Sequence, residues 1–337
     1  MSSQKKVLVP GGTGAMGVYL VPELLKMGYK VDVVSLDDRE SDNESLRYFK
    51  ANFKDENFVN EILKNDYDAI VDFMIYGTKE FEEKHKKLLE SCGHYIYLSS
   101  YRIYAGDYPI TENSPRLVDV SDNAEFLATD DYSLHKARGE DTLKKSGFTN
   151  WTAIRPAITY SKRRFQLVIL EAPLVVNRAL DGKKVVLPEE AREVQATMSW
   201  AGDVAKMISR LVLNRDAYGE IYTVATAEHN PWGKVADYYH ELIGLESVWV
   251  PKEDFLGILS DNDNKHIRWQ LDYDRLFERI VDNSKILNVT GMKQSELTTL
   301  HDGLARELSA LPAGYRFPVD PRGERMDKYL QAHGYQN

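Results

Sequence analysis

The chain has 337 residues, 43% hydrophobic and 28% charged, which suits a globular protein of one large unit or two intimate domains. Its formal net charge of −9 argues against general attraction to nucleic acid or an anionic membrane, although Lys162-Arg163-Arg164 forms a local basic run. With Cys92 alone an internal disulfide is excluded, and no Cys/His pair has zinc-ligand spacing, so no metal is expected. The N-terminus lacks the long apolar stretch of a signal peptide, and no run approaches the roughly 20 apolar residues that span a bilayer. A cytoplasmic protein without membrane partners is the expectation.

In chain order, Lys6-Val7-Leu8-Val9 reads as a strand, followed by a glycine turn and a helix from Ala15 to Met27 that stops before Gly28. A second strand covers Val31 to Leu36. Asp55 to Leu63 has helical spacing, and Ala69 to Met74 is the next strand. A charged helix over Lys79 to Ser91 leads into the strand Tyr95 to Leu98. Near-continuous apolar strands alternating with amphipathic helices predict an α/β, Rossmann-type doubly wound parallel sheet. From about Ser161 the rhythm loosens, prolines appear, and the charged loop Asp261 to Lys265 intervenes. We expect a dinucleotide-binding domain over 1–160 and a smaller substrate-binding domain over 161–337. Strands near Thr197 to Trp200 and Ile221 to Val224, within about 196–226, should return to the first sheet. Trp200, Trp232 and Trp269 read as core, and the tail from Pro312 as surface.

Gly11-Gly12-Thr13-Gly14-Ala15-Met16-Gly17 lies between a strand and a helix, where G-x-x-G-x-x-G has physical meaning. Glycine lets the backbone turn sharply and approach a pyrophosphate, and the helix N-terminus offers free N–H groups to it. Asp37, twenty residues beyond Gly17, suits the ribose hydroxyls of NAD and would repel a 2′-phosphate. Asp38 follows, and then Arg39, which could reach a 2′-phosphate, so NADP is the less favoured alternative.

Further on, Leu98-Ser99-Ser100 closes a strand and leads to Ile103-Tyr104. Tyr132 and Lys136 stand at i and i+4 on one helix face, with Glu140 a turn later, and Ala153-Ile154-Arg155-Pro156 ends another strand. With Ser199-Trp200-Ala201-Gly202-Asp203-Val204-Ala205 and Asp282-Asn283-Ser284-Lys285 before Gly291, these motifs fall in one order over residues 5 to about 305. The sequence thereby resembles the extended short-chain dehydrogenase/reductase family, in its group of NAD-dependent epimerases and dehydratases.

The resemblance implies that Tyr132 is an acid/base whose phenolate a nearby ammonium stabilises. It further implies that Lys136 holds the nicotinamide ribose and that Ser100 orients the reacting oxygen. Gly11, Thr13, Gly14, Ala15, Met16, Gly17, Asp37 and Asp38 would contact the dinucleotide. Asn52, Phe53 and Phe73 are either cofactor contacts or core. Where 4,6-dehydratases carry an Asp-Glu pair after the serine, this chain has Tyr101 and Arg102, which disfavours elimination of that type. Reversible epimerisation of a nucleotide sugar ranks first, and oxidation or reduction of another polar substrate second. A dinucleotide sensor or an RNA-binding relative is a third reading, which the retained Tyr132 and Lys136 and the acidic charge disfavour. Ser100, Tyr101, Arg192 and Arg268 are the candidate substrate contacts. The run Ser161 to Arg164 would meet a diphosphate or be solvated, and the acidic stretch Asp119 to Asp131 would deter anions or face solvent. Family relatives pair two helices across a dimer axis, here Lys79 to Ser91 and Tyr132 to Lys145, so a homodimer is expected.

Overall fold

The computed structural model describes residues 4–260 and 265–335. Six strands, β1 (Lys6–Pro10), β2 (Lys30–Ser35), β3 (Leu46–Lys50), β4 (Tyr67–Asp72), β5 (Cys92–Leu98) and β6 (Trp151–Pro156), form one sheet with the later strand Glu220–Val224. The spatial order is 220–224, β6, β5, β4, β1, β2, β3, and every pairing is parallel. Parallel strands need crossovers, and the connecting helices bury both faces. On one face α1 (Gly17–Lys26) packs Leu20, Val21 and Leu24 beside Val204, Met207 and Ile208. On the other lie Val59 and Ile62 of α2 (Glu56–Ile62) and Phe81, Leu88 and Leu89 of α3 (Thr78–Glu90).

The chain runs from β1 outward to β3, then returns to the other side of β1 for β4. Strand order therefore reverses between β1 and β4, opening a crevice at the carboxyl ends of these strands. The glycine loop, the segment after β4 and the Ser99-Ser100 corner after β5 meet at that rim.

β3 has no clear signature in the sequence. Leu-Arg-Tyr-Phe-Lys lies at the sheet edge with only its apolar members half-buried, so neither alternation nor a full apolar run marks it. Of the two strands expected to return, Glu220–Val224 pairs with β6. Met198–Trp200 does not join the sheet. It pairs in parallel with β7 (Ile158–Tyr160), because the chain turns out of the sheet plane after Pro156. The tail is not all surface either. Helix Arg322–Ala332 buries Met326 and Leu330 in the core of the C-terminal part, with Arg178 bridging to Asp327 and to the Gly323 carbonyl. Most of the expected loop Asp261 to Lys265 lies outside the described residues, and Lys265 opens the helix Lys265–Gln270. Trp232 and Trp269 are core, whereas Trp200 is half-buried and donates its indole N–H to Glu307.

His94 in β5 is fully enclosed. Its Nδ1 accepts the Leu213 N–H at 3.0 Å, so its Nε2–H donates to Thr152 Oγ1 at 2.8 Å, which itself donates to the Ala217 carbonyl. Burial pushes the imidazole down to about 3, with Arg215 adding to the effect. The folded state thus binds fewer protons than the unfolded chain between pH 6.5 and about 3. The stability from neutral His94 is complete above that window and lost as pH falls through it. His94→Asn should be less stable at neutral pH by about 1–2 kcal/mol and should lose less further stability on acidification than the native chain. Urea unfolding at a series of pH values checks this; parallel acid profiles would refute it.

Candidate active site

The crevice opens into a cavity of ≈ 460 Å³ lined by Gly11, Gly14–Gly17, Phe73, Ser99, Ser100, Tyr101, Arg102 and Tyr132. Its floor continues through Pro156–Thr159 to Arg164, Gln166, Glu171, Gln270 and Arg275.

The glycine loop is built to bring backbone close to this space. Gly11 holds φ +72, a left-handed conformation that other residues resist, and a side chain on Gly17 would lie 2.4 Å from the Gly12 carbonyl oxygen. Thr13 ties the loop to β2 through a 2.6 Å bond to Ser35 Oγ. No side chain caps α1, which begins at Gly17 after Met16. Val18 and Tyr19 already donate to the Gly14 and Met16 carbonyls, so it is the N–H groups of Ala15, Met16 and Gly17, at the cavity wall, that can meet an anion. This suits a dinucleotide diphosphate.

Two one-turn helices, α4 (Leu117–Val120) and α5 (Ala124–Leu127), lead to α6 (Tyr132–Lys145), whose first residue is Tyr132. Asp131 caps that helix, accepting the Ser133 N–H at 3.0 Å and the Ser133 hydroxyl at 2.9 Å, and so fixes where Tyr132 starts. Two cations flank its ring: the Arg102 guanidinium at 5.1 Å and the Lys136 ammonium at 5.7 Å from the centroid. Lys136 lies one turn on, fully buried, and donates to the Leu98 carbonyl at 2.6 Å. Burial pushes its ammonium down to about 8, opposed by the Asp72 carboxylate. Its position is behind Tyr132, not among the residues lining the cavity.

Glu140, a further turn along the same face, accepts both Nε (2.8 Å) and Nη2 (2.7 Å) of Arg155 from β6. It also accepts the Ser99 hydroxyl at 2.5 Å. Arg155 in turn donates to the Tyr104 hydroxyl at 2.8 Å, which meets Thr223 Oγ1 on the last strand. One buried ion pair thereby joins the serine corner, α6, β6 and strand 220–224. Ser100 Oγ accepts the Arg102 N–H at 3.2 Å, folding the corner back on itself.

The expected residues divide. Gly11, Gly14, Ala15, Met16, Gly17, Phe73, Ser100, Tyr101 and Tyr132 share the cavity. Phe53 is instead core between α2 and α3, and exposed Asn52 accepts the Lys54 N–H. Asp37 and Asp38 are exposed just beyond β2: Asp37 lies 3.7 Å from Arg39 and 3.8 Å from Arg163, and Asp38 pairs with Lys50. Arg192 does not line the cavity, its guanidinium lying over Trp249 and near Glu189. Arg268 is held at 2.6 and 2.9 Å by Glu253. Three other arginines, Arg102, Arg164 and Arg275, border the cavity. Arg164 was visible as part of a basic run; nothing in the sequence distinguished Arg275. Ser161 to Arg164 forms a tight turn whose Lys162 N–H donates to Glu307. The acidic stretch is largely engaged, with Asp119 on Arg116 and Asp130 on Thr78 and Arg138.

Three comparisons bear on this arrangement. The model of the NAD dependent epimerase/dehydratase family matches residues 7–225. A curated relative, the chloroplast stem-loop binding protein of 41 kDa b of Arabidopsis thaliana, is 26% identical over 242 residues, 66% of this chain. The aligned part spans 59% of that relative's length. Among solved structures, an epimerase of Methanothermobacter thermautotrophicus has a TM-score of 0.66 at 15% identity, covering 98% of this chain and 93% of its own. The UDP-glucose 4-epimerase of Thermus thermophilus, solved with NAD, has a TM-score of 0.66 at 19% identity, covering 90% and 98%. At such identities the structural likeness speaks for the fold.

Glu140→Gln should cost about 3–5 kcal/mol, because it leaves the Arg155 guanidinium buried without its counter-charge. Chemical denaturation measures this; a loss below about 1 kcal/mol, the worth of a surface pair, would refute the assignment.

Proposed function

Since the chain belongs to the NAD-dependent epimerase/dehydratase family, we propose that it catalyses reversible hydride transfer at a hydroxyl-bearing carbon of a sugar-type substrate, with NAD as cofactor. The observation that carries this reading is the convergence of the uncapped glycine loop, Ser100 and Tyr132 on one cavity, with Lys136 behind the tyrosine.

NAD bound at the glycine loop supplies the hydride acceptor and, in reverse, the donor. Tyr132 takes the substrate hydroxyl proton as the adjacent C–H bond yields its hydride, leaving a carbonyl. Ser100 hydrogen-bonds the reacting oxygen. The Arg102 and Lys136 cations flank the Tyr132 ring and hold it in place for this step. In the return step Tyr132 gives the proton back to the carbonyl oxygen, and a ketone that has turned its other face to the cofactor would be returned as the epimer. A nucleotide sugar is the first substrate class in this reading, and a dehydrogenase or reductase of another polar substrate the second. Arg102, in the place of a dehydratase acid, is no proton donor at neutral pH, which continues to disfavour elimination.

A nucleic-acid-binding reading draws on the name of the Arabidopsis relative, a stem-loop binding protein. The net charge of −9 and the assembled Ser100, Tyr132 and Lys136 set weigh against it. We keep the homodimer as part of the proposal, noting that neither α3 nor α6 has an exposed large apolar side chain among the described residues. Among those residues no helix is long and apolar enough to cross a membrane. A cytoplasmic setting is part of the same proposal.

Tyr132→Phe should lower turnover by at least about 100-fold, the scale of acid–base catalysis, while NAD affinity changes little. Steady-state kinetics and calorimetric titration measure the two; unchanged turnover would sink the role. Asp37→Ser should raise NADP affinity relative to NAD, since Arg39 and Arg163 would then face the 2′-phosphate without a competing carboxylate. Cofactor titrations decide it, and an unmoved ratio would place Asp37 outside the ribose site.

A further inference from the structure

Beyond Tyr132, the cavity floor is unusually charged for buried space. Arg102 has a side chain only 15% exposed, with Asp274 Oδ2 at 3.4 Å and Asp131 Oδ1 at 4.0 Å. Arg275, 3% exposed, pairs with Asp274 and donates through Nε to the Val168 carbonyl at 2.7 Å. Arg279 sits behind them on the same carboxylate and on backbone carbonyls of 104 and 273. Three guanidiniums thus face two carboxylates. Asp131 is further shared with Ser133 and His266, so its charge is divided among several partners. Arg164 at the mouth is matched by Glu171.

Such an excess is costly in a dry interior unless an anion completes it. Burial pushes Arg275 and Arg279 both down to about 10, with the Arg102 charge adding to the shift and the Tyr101 hydroxyl opposing it. Two further atoms point the same way. The Arg102 Nε–H has ion-pair proximity but no hydrogen-bond alignment, and the enclosed Tyr101 hydroxyl has no hydrogen-bond partner. Both residues line the cavity. A third orphan has the opposite character. Gln166 donates its amide N–H to Glu171, which fixes its orientation and leaves Oε1 a buried acceptor without a donor.

We propose that this floor is an oxyanion seat: the substrate carries a carboxylate or phosphate that Arg102 and Arg275 pair with, next to a hydroxyl that donates to Gln166 Oε1. The inference rests on the hydride-transfer reading above and narrows its substrate to an acidic polyol or sugar. The guanidinium plane offers paired N–H groups in the spacing that carboxylate and phosphate oxygens present. Tyr101 adds a neutral donor. A neutral sugar unit would leave the Arg102 Nε–H desolvated and without a hydrogen-bond acceptor, so the same residues reject what they do not bind. Arg102 lies two residues after Ser100 and over the Tyr132 ring, which places the anion close to the reacting carbon.

The test uses the full chain saturated with NAD and titrated with a matched set: glucitol, gluconate and glucitol phosphate. At least one anion should bind about tenfold or more tightly than glucitol, the worth of one charge-assisted hydrogen bond. Which anion gains more distinguishes carboxylate from phosphate. Arg102→Gln should erase the preference and Arg102→Lys should retain part of it. NAD affinity, measured in each variant, reports whether the site still folds; should Arg102→Gln fail there, the Lys variant and Gln166→Leu, which should weaken all three polyols, carry the comparison. Equal binding of glucitol and both anions, binding of neither anion, or a preference untouched at Arg102 would overturn the proposal. Loss of NAD binding in the native chain would overturn the dinucleotide reading beneath it.

Discussion

The bidentate pair between Arg155 and Glu140 is the constraint on which the half of the molecule around the cavity depends. Each partner belongs to a different element, and neither has access to solvent. Such a pair contributes little net stability compared with apolar packing, yet it tolerates no slippage, because any displacement leaves a naked buried charge. Glu140 is two helical turns from Tyr132 on the same face of α6. Fixing its carboxylate therefore fixes the rotation of the helix that presents the tyrosine and lysine. The third acceptor contact, from Ser99, transmits the same constraint to the neighbouring Ser100. The placement of Tyr132 and Ser100 is thus set from behind by a network of which only Ser99 reaches the cavity.

Packing reinforces this arrangement. A side chain on Gly139 would lie 2.2 Å from the Tyr97 hydroxyl, so α6 rests directly against β5 with no room for a methyl group. Tyr95 and Tyr76 both donate to Asp72 at 2.9 Å, holding the end of β4 where Phe73 enters the cavity. Burial lifts the Asp72 carboxyl above its ordinary range, although the two tyrosines and the Met74 N–H oppose the shift. The rim of the sheet is consequently a set of polar knots surrounded by apolar strands.

Much of this was legible before the structure. The strand-loop-helix context of Gly11 to Gly17, the apolar runs at β1, β2, β4 and β5, and the Tyr132-Lys136 spacing are local signals, and local signals survive in a linear sequence. What escaped depended on distance along the chain. Edge strand β3 is too exposed to carry a pattern. Met198–Trp200 looked like a sheet strand because its composition is that of one; only the turn after Pro156 shows that it pairs elsewhere. Position along the chain alone makes Arg192 and Arg268 candidates, yet a single carboxylate fifteen residues upstream, Glu253, occupies Arg268. Conversely, Arg275 acquires its importance from Arg102 and Asp274, a convergence that no spacing rule encodes.

The last strand of the sheet has a consequence for how the protein is made. Until Glu220–Val224 is synthesised, β6 remains an open edge, and Thr223 cannot meet the hydroxyl of Tyr104 that supports Arg155. A nascent chain ending near residue 160 would therefore display an unpaired parallel strand and a half-supported buried cation. Edges of that kind recruit partners indiscriminately. The ribosome must deliver roughly a further sixty residues, at a pace of about 5–20 residues per second, before the sheet-bearing half can close. That half is continuous in space but not in time, and a fragment cut at the apparent domain boundary would retain the vulnerability permanently.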